Sequence, residues 1–139
     1  MYSRGEGVTH DHKETMKWFL KAADQGHAQA QSKVGVIYTL GISVSQDHSK
    51  AVKWCRKAAD QGDADGQYVL GMLYQNGKGV ARDCIEAARW YRKAAGQGDV
   101  NAQRTLGEMY FSGAGGFPAH LELARSFLSA AEAQGDEEA

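Results

Sequence analysis

Tyr38, Tyr74 and Tyr110 stand 36 residues apart, and so do Gly35, Gly71 and Gly107. Trp18, Trp54 and Trp90 keep the same interval. A fixed period of this size means stacked copies of one small unit. Such a unit cannot bury its apolar face alone and is stable only against its neighbours. The period therefore favours a peptide- or protein-binding scaffold over an enzyme.

The full unit begins Gly66-Gln67-Tyr68-Val69-Leu70-Gly71-Met72-Leu73-Tyr74, passes through Gln75-Asn76-Gly77-Lys78-Gly79-Val80 to Asp83, and ends Trp90-Tyr91-Arg92-Lys93-Ala94-Ala95 and Gln97-Gly98-Asp99. Ala30-Gln31, Val34-Gly35, Tyr38, Gly41, Val44, Asp47, Trp54, Ala58-Ala59 and Gln61-Gly62-Asp63 repeat it upstream. Ala102-Gln103, Leu106-Gly107, Tyr110 and Gly113 repeat it downstream. One residue is inserted around Gly115-Gly116-Phe117, after which Ala124, Phe127, Ala131 and Gln134-Gly135-Asp136 follow at 37. Tyr2, Gly5, Gly7, Val8, Asp11 and Trp18 belong to a first unit that lacks its opening segment. The chain divides as one solenoid domain, 1–139, with an incomplete unit at 1–26 and full units at 27–62, 63–98 and 99–139.

Each unit reads as two antiparallel helices, the first over 64–76 and the second over 84–97. Ala87, Trp90, Tyr91, Ala94 and Ala95 fall at i, i+3, i+4, i+7 and i+8, one face of a helix. Ala51, Trp54, Cys55, Ala58 and Ala59 repeat that stripe, and Gly66, Leu70, Leu73 and Tyr74 form the facing one. Asp11, Asp47 and Asp83 stand before second helices, and Asp63 and Asp99 before first helices. There a carboxylate accepts the orphan amide protons of the first turn. Gly26, Gly62, Gly98 and Gly135 are expected to close second helices, and Gly77 a first helix. Gly71 lies inside its helix, at a cost of about 1 kcal/mol against Ala. Its recurrence predicts a close helix approach, with Ala58-Ala59 and Ala94-Ala95 as the small surface opposite.

The chain's 139 residues are 42% apolar and 24% charged, as in an ordinary folded domain. Sixteen basic and 17 acidic residues give a formal charge of −1, so no global field steers the chain to nucleic acid or an anionic membrane. No apolar stretch approaches the ~20 residues of a membrane span. Cys55 and Cys84 are out of phase with the repeat and lack CxxC spacing, which gives no metal or redox signal and favours a reducing compartment. The N-terminus shows no apolar core of a signal peptide. The cytoplasm is favoured slightly, with a periplasmic or secreted location open to a processed chain.

The pattern closely resembles the Sel-1-like repeat family, relatives of the tetratricopeptide repeats. Residues 66–98 follow that family's unit nearly throughout, with Gly66 where the family opens on alanine. Departures are local: Gly41-Ile42-Ser43-Val44 in one loop, His120 for the capping Asp, and Glu132 for the second alanine of the pair. The resemblance implies an all-α, right-handed superhelical solenoid of helix-turn-helix repeats with a concave face. It implies adaptor roles without intrinsic catalysis, and no cofactor. Two other readings accompany it. Some members are linked to penicillin binding or β-lactam hydrolysis, which would make the chain a hydrolase of β-lactam or cell-wall compounds, but no serine here has Lys three residues on, as the Ser-x-x-Lys nucleophile needs. A bacterial effector or immunity protein would use the same groove against one target.

His10-Asp11-His12 and Asp47-His48 invite a metal reading, but the register already explains both Asp residues as caps, and no metal site is expected. Gly77-Lys78-Gly79 lacks the Gly-Lys-Ser/Thr ending of a phosphate loop and reads as a turn. Cys55, in register with Tyr91, reads as a packed core thiol. The tryptophans share the buried stripe and read as core, not as a ligand cage.

The face that varies from unit to unit is the candidate site. On the first helices it comprises Gln29, Ser32, Lys33, Val36 and Thr39, then Asp65, Tyr68, Val69, Met72 and Gln75, then Asn101, Arg104, Thr105, Glu108 and Phe111. By analogy with related repeats these line the concave surface, where a peptide or partner helix would sit. Tyr68, Met72, Arg104 and Phe111 are residue types that dominate contacts. Trp18 and Phe19 meet no first helix of their own unit, so the uncapped first unit offers a route to self-association.

Overall fold

A repeat of this kind must end one helix, cross over and start the next within a few residues, and the chain does so with the same atoms in every unit. The computed structural model describes residues 5–41, 44–113 and 119–138. These residues form seven helices and no strand: α1 (Gly5–Asp24), α2 (Ala28–Leu40), α3 (His48–Asp60), α4 (Ala64–Asn76), α5 (Cys84–Gly96), α6 (Val100–Ser112) and α7 (Leu121–Glu138). Tyr2, the Ile42-Ser43 departure and the insertion at Gly115-Gly116-Phe117 lie outside the described residues.

First helices end on glycine. Gly41, Gly77 and Gly113 take φ of 75°, 67° and 66°, a left-handed conformation that side chains resist. Each donates its N–H to the carbonyl four residues back, Ile37, Leu73 and Met109. The crossover then closes on a tyrosine carbonyl. The Tyr38, Tyr74 and Tyr110 carbonyls accept from the N–H of Asp47, Asp83 and His120 at 3.0, 2.9 and 2.7 Å. The last unit keeps this bond although its loop is one residue longer.

Caps set the next helix. Asp47 and Asp83 accept the N–H of Lys50 and Glu86 at 3.1 and 3.0 Å, and Asp63 and Asp99 accept those of Gly66 and Ala102 at 2.8 and 3.0 Å. His120 fills the same role with its imidazole, whose Nδ1 accepts from Leu123 N–H at 3.3 Å. Each cap is worth about 1 kcal/mol.

Packing is by neighbours only. The second helices α3 and α5 each lie against the first helix of their own unit and of the next, α1 lies against α2 and α7 against α6, and α2 also packs along α4 across the unit boundary. The second helices α3 and α5 make no comparable contact. The helices thus stack as a right-handed α/α solenoid, with α2 and α4 the first helices in direct contact. Three buried clusters follow one another along the axis. Val34 and Trp54 belong to the first, Leu70 and Trp90 to the second, Tyr91 and Leu106 to the third.

Buried glutamines latch each junction. Gln31, Gln67 and Gln103 donate Nε2 to the carbonyls of Ala23, Ala59 and Ala95, at the end of the preceding second helix, at 3.1, 3.4 and 3.4 Å. Their Oε1 atoms accept from Gln61, Gln97 and Gln134 at 2.7, 2.9 and 3.0 Å.

Three expectations need correction. The chain is helical through Gly5, Gly7 and Asp11, so Asp11 lies inside α1 and does not begin it. The loop elsewhere is pinned by a first helix's glycine cap and tyrosine carbonyl, and no described helix precedes α1. Likewise Gly135 lies inside α7. Gly26, Gly62 and Gly98, with φ of 94–95°, turn the chain onto a following first helix, and none is described after Gly135. Finally, the alanine pairs do not face the mid-helix glycines. A Cβ on Gly71 would lie 2.8 Å from the Tyr91 ring, one on Gly107 2.6 Å from Leu128, and one on Gly35 against the Cys55 sulfur. Ala58 instead faces Gly66, where an added Cβ would come 2.7 Å from the alanine methyl.

Candidate functional site

Of the positions that vary along the first helices, six converge. Ser32, Lys33 and Val36 on α2 and Asp65, Tyr68 and Val69 on α4 line one open cleft of about 380 Å³, together with Phe19 and Ile37. Repeat register explains why it opens here. Ser32 is small where the next unit places Tyr68, whose ring packs 5.6 Å from Tyr91. The cleft has an apolar floor and two charged groups, Lys33 and Asp65, both exposed and neither in an ion pair.

The positions are not equivalent. Ser32 and Val69 are buried and form floor. The Ser32 hydroxyl donates to the Gln29 carbonyl at 3.0 Å. Thr39 donates to the Gly35 carbonyl at 2.8 Å, and Gln75 accepts the Tyr91 hydroxyl proton at 2.7 Å, so both serve the fold. Met72 is half-buried against the third cluster. Gln29, Asn101, Arg104 and Glu108 are exposed, with Thr105 half-buried among them. Arg104 donates to Asn101 at 3.4 Å.

Phe111 does not join Tyr68. It is 64% exposed and lines a separate cleft of about 400 Å³ with Leu121, Ala124, Arg125, Leu128, Ser129 and Glu132 of α7. Tyr68 and Phe111 thus line different clefts, the first between α2 and α4 and the second between α6 and α7. Phe19 and Ile37 were absent from the variable-face set. Phe19 shares register with the buried Cys55 and Tyr91. It is half-buried and walls the cleft.

The aromatic series splits similarly. Trp54 and Trp90 are buried at 9% and 6% exposure, whereas Trp18 is 62% exposed and so is not core. Each indole carries a lysine three residues on. The ammonium groups of Lys21, Lys57 and Lys93 lie 5.4, 5.0 and 4.8 Å from the ring centroids.

Two ionisable groups are pushed from their ordinary range, and neither lines a cleft. Burial, with a smaller contribution from Asp63, raises the Cys55 thiol to about 12. Burial first, then Tyr68 and Cys84, raises the Tyr91 hydroxyl. A protonated thiol against Gly35 packs as a small apolar group and is a poor nucleophile. Among the described residues no three His, Cys, Asp or Glu side chains are grouped to hold a metal ion, and no helix is long and apolar enough to cross a membrane. The side chains of His10, Asp11 and His12 lie outside that description.

Comparison with known proteins gives a consistent picture. The Sel1 repeat family matches four times, over residues 1–27, 28–63, 64–99 and 100–136. The crystal structure of c5321, a protective antigen present in uropathogenic Escherichia coli strains and displaying an SLR fold, superposes with a TM-score of 0.79 at 38% identity. That match covers 86% of this chain and 26% of c5321. A Sel1 repeat protein from Oxalobacter formigenes superposes with a TM-score of 0.81 at 37% identity, covering 88% of this chain and 50% of its own. Helicobacter pylori cysteine rich protein B gives 0.61 at 28% identity, covering 65% of this chain and 68% of its own. No curated protein matches. The chain thus spans about a quarter of c5321 and half of the Oxalobacter protein. With its period, caps, tyrosine-closed loops and glutamine latches all falling in the matched segments, the chain belongs to the Sel1 repeat family.

Proposed function

We propose that the chain is a non-catalytic interaction scaffold that seats a peptide segment or partner helix in the cleft between α2 and α4. Sel1 repeat proteins are generally protein-interaction scaffolds, which supplies the class. The observation that carries the site is the cleft itself: an apolar floor of Phe19, Val36, Ile37 and Val69 on the inner face, rimmed by Lys33, Asp65 and the half-exposed Tyr68. An apolar anchor residue would fill the floor, and flanking polar groups would meet the unpaired rim charges. The cleft's aliphatic hydroxyl, Ser32, is buried and donates to the Gln29 carbonyl and not to a base, which supports binding over turnover.

The two clefts allow a clean test. Capture of partners from lysate of the source organism should survive Phe111→Asp and fail with Tyr68→Asp. Because Tyr68 also packs on Tyr91, the exposed Lys33→Glu provides a second variant that leaves the core untouched. Circular dichroism should be the same for Lys33→Glu and the unmodified chain. Loss of capture with Phe111→Asp alone would place the site on α6–α7 instead, and hydrolysis of nitrocefin would revive the enzyme reading.

A further inference from the structure

We propose a second interaction surface: the outer face of α1, α3 and α5 is a docking track for an acidic peptide segment. It is independent of the inner cleft. The near-zero formal charge hides a strong asymmetry between faces. On the outward side of the second helices, Lys17, Lys53 and Arg89 occupy one register position, and Lys21, Lys57 and Lys93 occupy another, four residues on. Arg56 and Arg92 stand between the two rows. All of these are exposed except Arg56, which is half-buried and donates to the Tyr74 hydroxyl at 2.7 Å. Positions four apart on a helix are neighbours, so each helix presents its cations as a cluster, and register aligns the clusters across three helices.

Counter-charges are few. Glu86 pairs with Arg89 at 3.2 Å, the one ion pair among the described residues. Glu14 stands a turn before Lys17, and Asp24 and Asp60 stand a turn after Lys21 and Lys57, at the ends of α1 and α3. The remaining lysines and Arg92 have no carboxylate partner within ion-pair distance. The track is also bounded. In α7 the equivalent positions are Ser126, Ser129 and Ala130, and the first helices carry no comparable row.

The lysine row is held in place. Each of Lys21, Lys57 and Lys93 rests its ammonium over an indole while its N–H donors remain available. Pre-positioned cations lose less side-chain entropy on meeting carboxylates than free ones do. This arrangement fits an acidic peptide better than nucleic acid. Trp54 and Trp90 are buried, so of the three indoles along the track Trp18 alone is open, where stacking along a strand needs successive exposed rings.

The test uses fluorescence anisotropy with a labelled peptide of about ten glutamates, against a glutamine peptide of equal length, a single-stranded and a duplex oligonucleotide, and phosphatidylserine vesicles. The glutamate peptide should bind tightest, and more weakly as salt rises from about 50 to about 300 mM. The double variant Lys53→Glu, Arg92→Glu touches neither an indole contact nor the core, and should weaken binding on the order of tenfold with unchanged circular dichroism. Lys33→Glu, on the inner cleft, should leave it unchanged. No binding of the glutamate peptide, equal binding by the outer-face variant, loss only with Lys33→Glu, or tighter binding of an oligonucleotide or vesicles would each overturn the proposal.

Discussion

At the scale of single residues, glycines with opposite roles show how register and packing divide the work. Gly71, Gly35 and Gly107 sit mid-helix, where Gly is unfavourable by about 1 kcal/mol against Ala. They are there because Tyr91, Cys55 and Leu128 occupy the space a methyl would need. Gly96 also lies in a helix, at the end of α5, with nothing within 4 Å of a built Cβ and no positive φ. The prediction is a sign reversal. Gly71→Ala should destabilise by about 1–3 kcal/mol through overpacking against the Tyr91 ring, whereas Gly96→Ala should stabilise by about 0.5–1 kcal/mol. Urea melts of the two variants and the parent chain would show it. A Gly71→Ala protein at least as stable as the parent would mean that Tyr91 can swing aside.

At the scale of elements, most of what joins one hairpin to the next is apolar, but the register is fixed by polar atoms. The buried glutamines of α2, α4 and α6 tie each first helix to the end of the preceding second helix, while Gln61, Gln97 and Gln134 bind the same amides from the far end of the unit. Gln97 also donates to the Gly62 carbonyl at 2.8 Å, so it bridges two inter-helix turns. Gln67→Leu should cost about 1–3 kcal/mol, because it leaves the buried Ala59 carbonyl and the Gln97 amide short of partners. Gln97→Ala, at an exposed position, should cost about 0.5–1.5 kcal/mol. Denaturation midpoints at constant m-value would measure both. Larger loss from Gln97 than from Gln67 would argue against the latch.

At the scale of the whole molecule, stability passes from neighbour to neighbour. The helices α2 to α6 are each flanked on both sides, whereas α1 packs chiefly on α2 and α7 chiefly on α6. A linear array of this kind opens from its ends. Amide hydrogen exchange should therefore be slowest in α4 and α5 and fastest in α1 and α7. Uniform protection along the array would show a single cooperative unit instead. The same linearity puts the two clefts between different helix pairs and lets a basic outer face coexist with a chain of formal charge −1.

The repeat period by itself determined the fold. Helix limits at Ala64–Asn76 and Cys84–Gly96 match the expected spans to within a residue, and the cap and glycine positions at Asp47, Asp63, Asp83, Asp99, Gly62 and Gly98 do so as well. These are local signals, set by backbone atoms a few residues away. Only the tertiary structure decided what each register position faces. Ser32 and Val69 became floor, Gln75 and Thr39 were taken up by internal hydrogen bonds, Phe111 was separated from Tyr68, and Trp18 was left exposed while Trp54 and Trp90 were buried. The reason is physical. Identical register places a side chain on the same face of its helix, but burial depends on which helix lies next to it. That neighbour differs at the ends of the array.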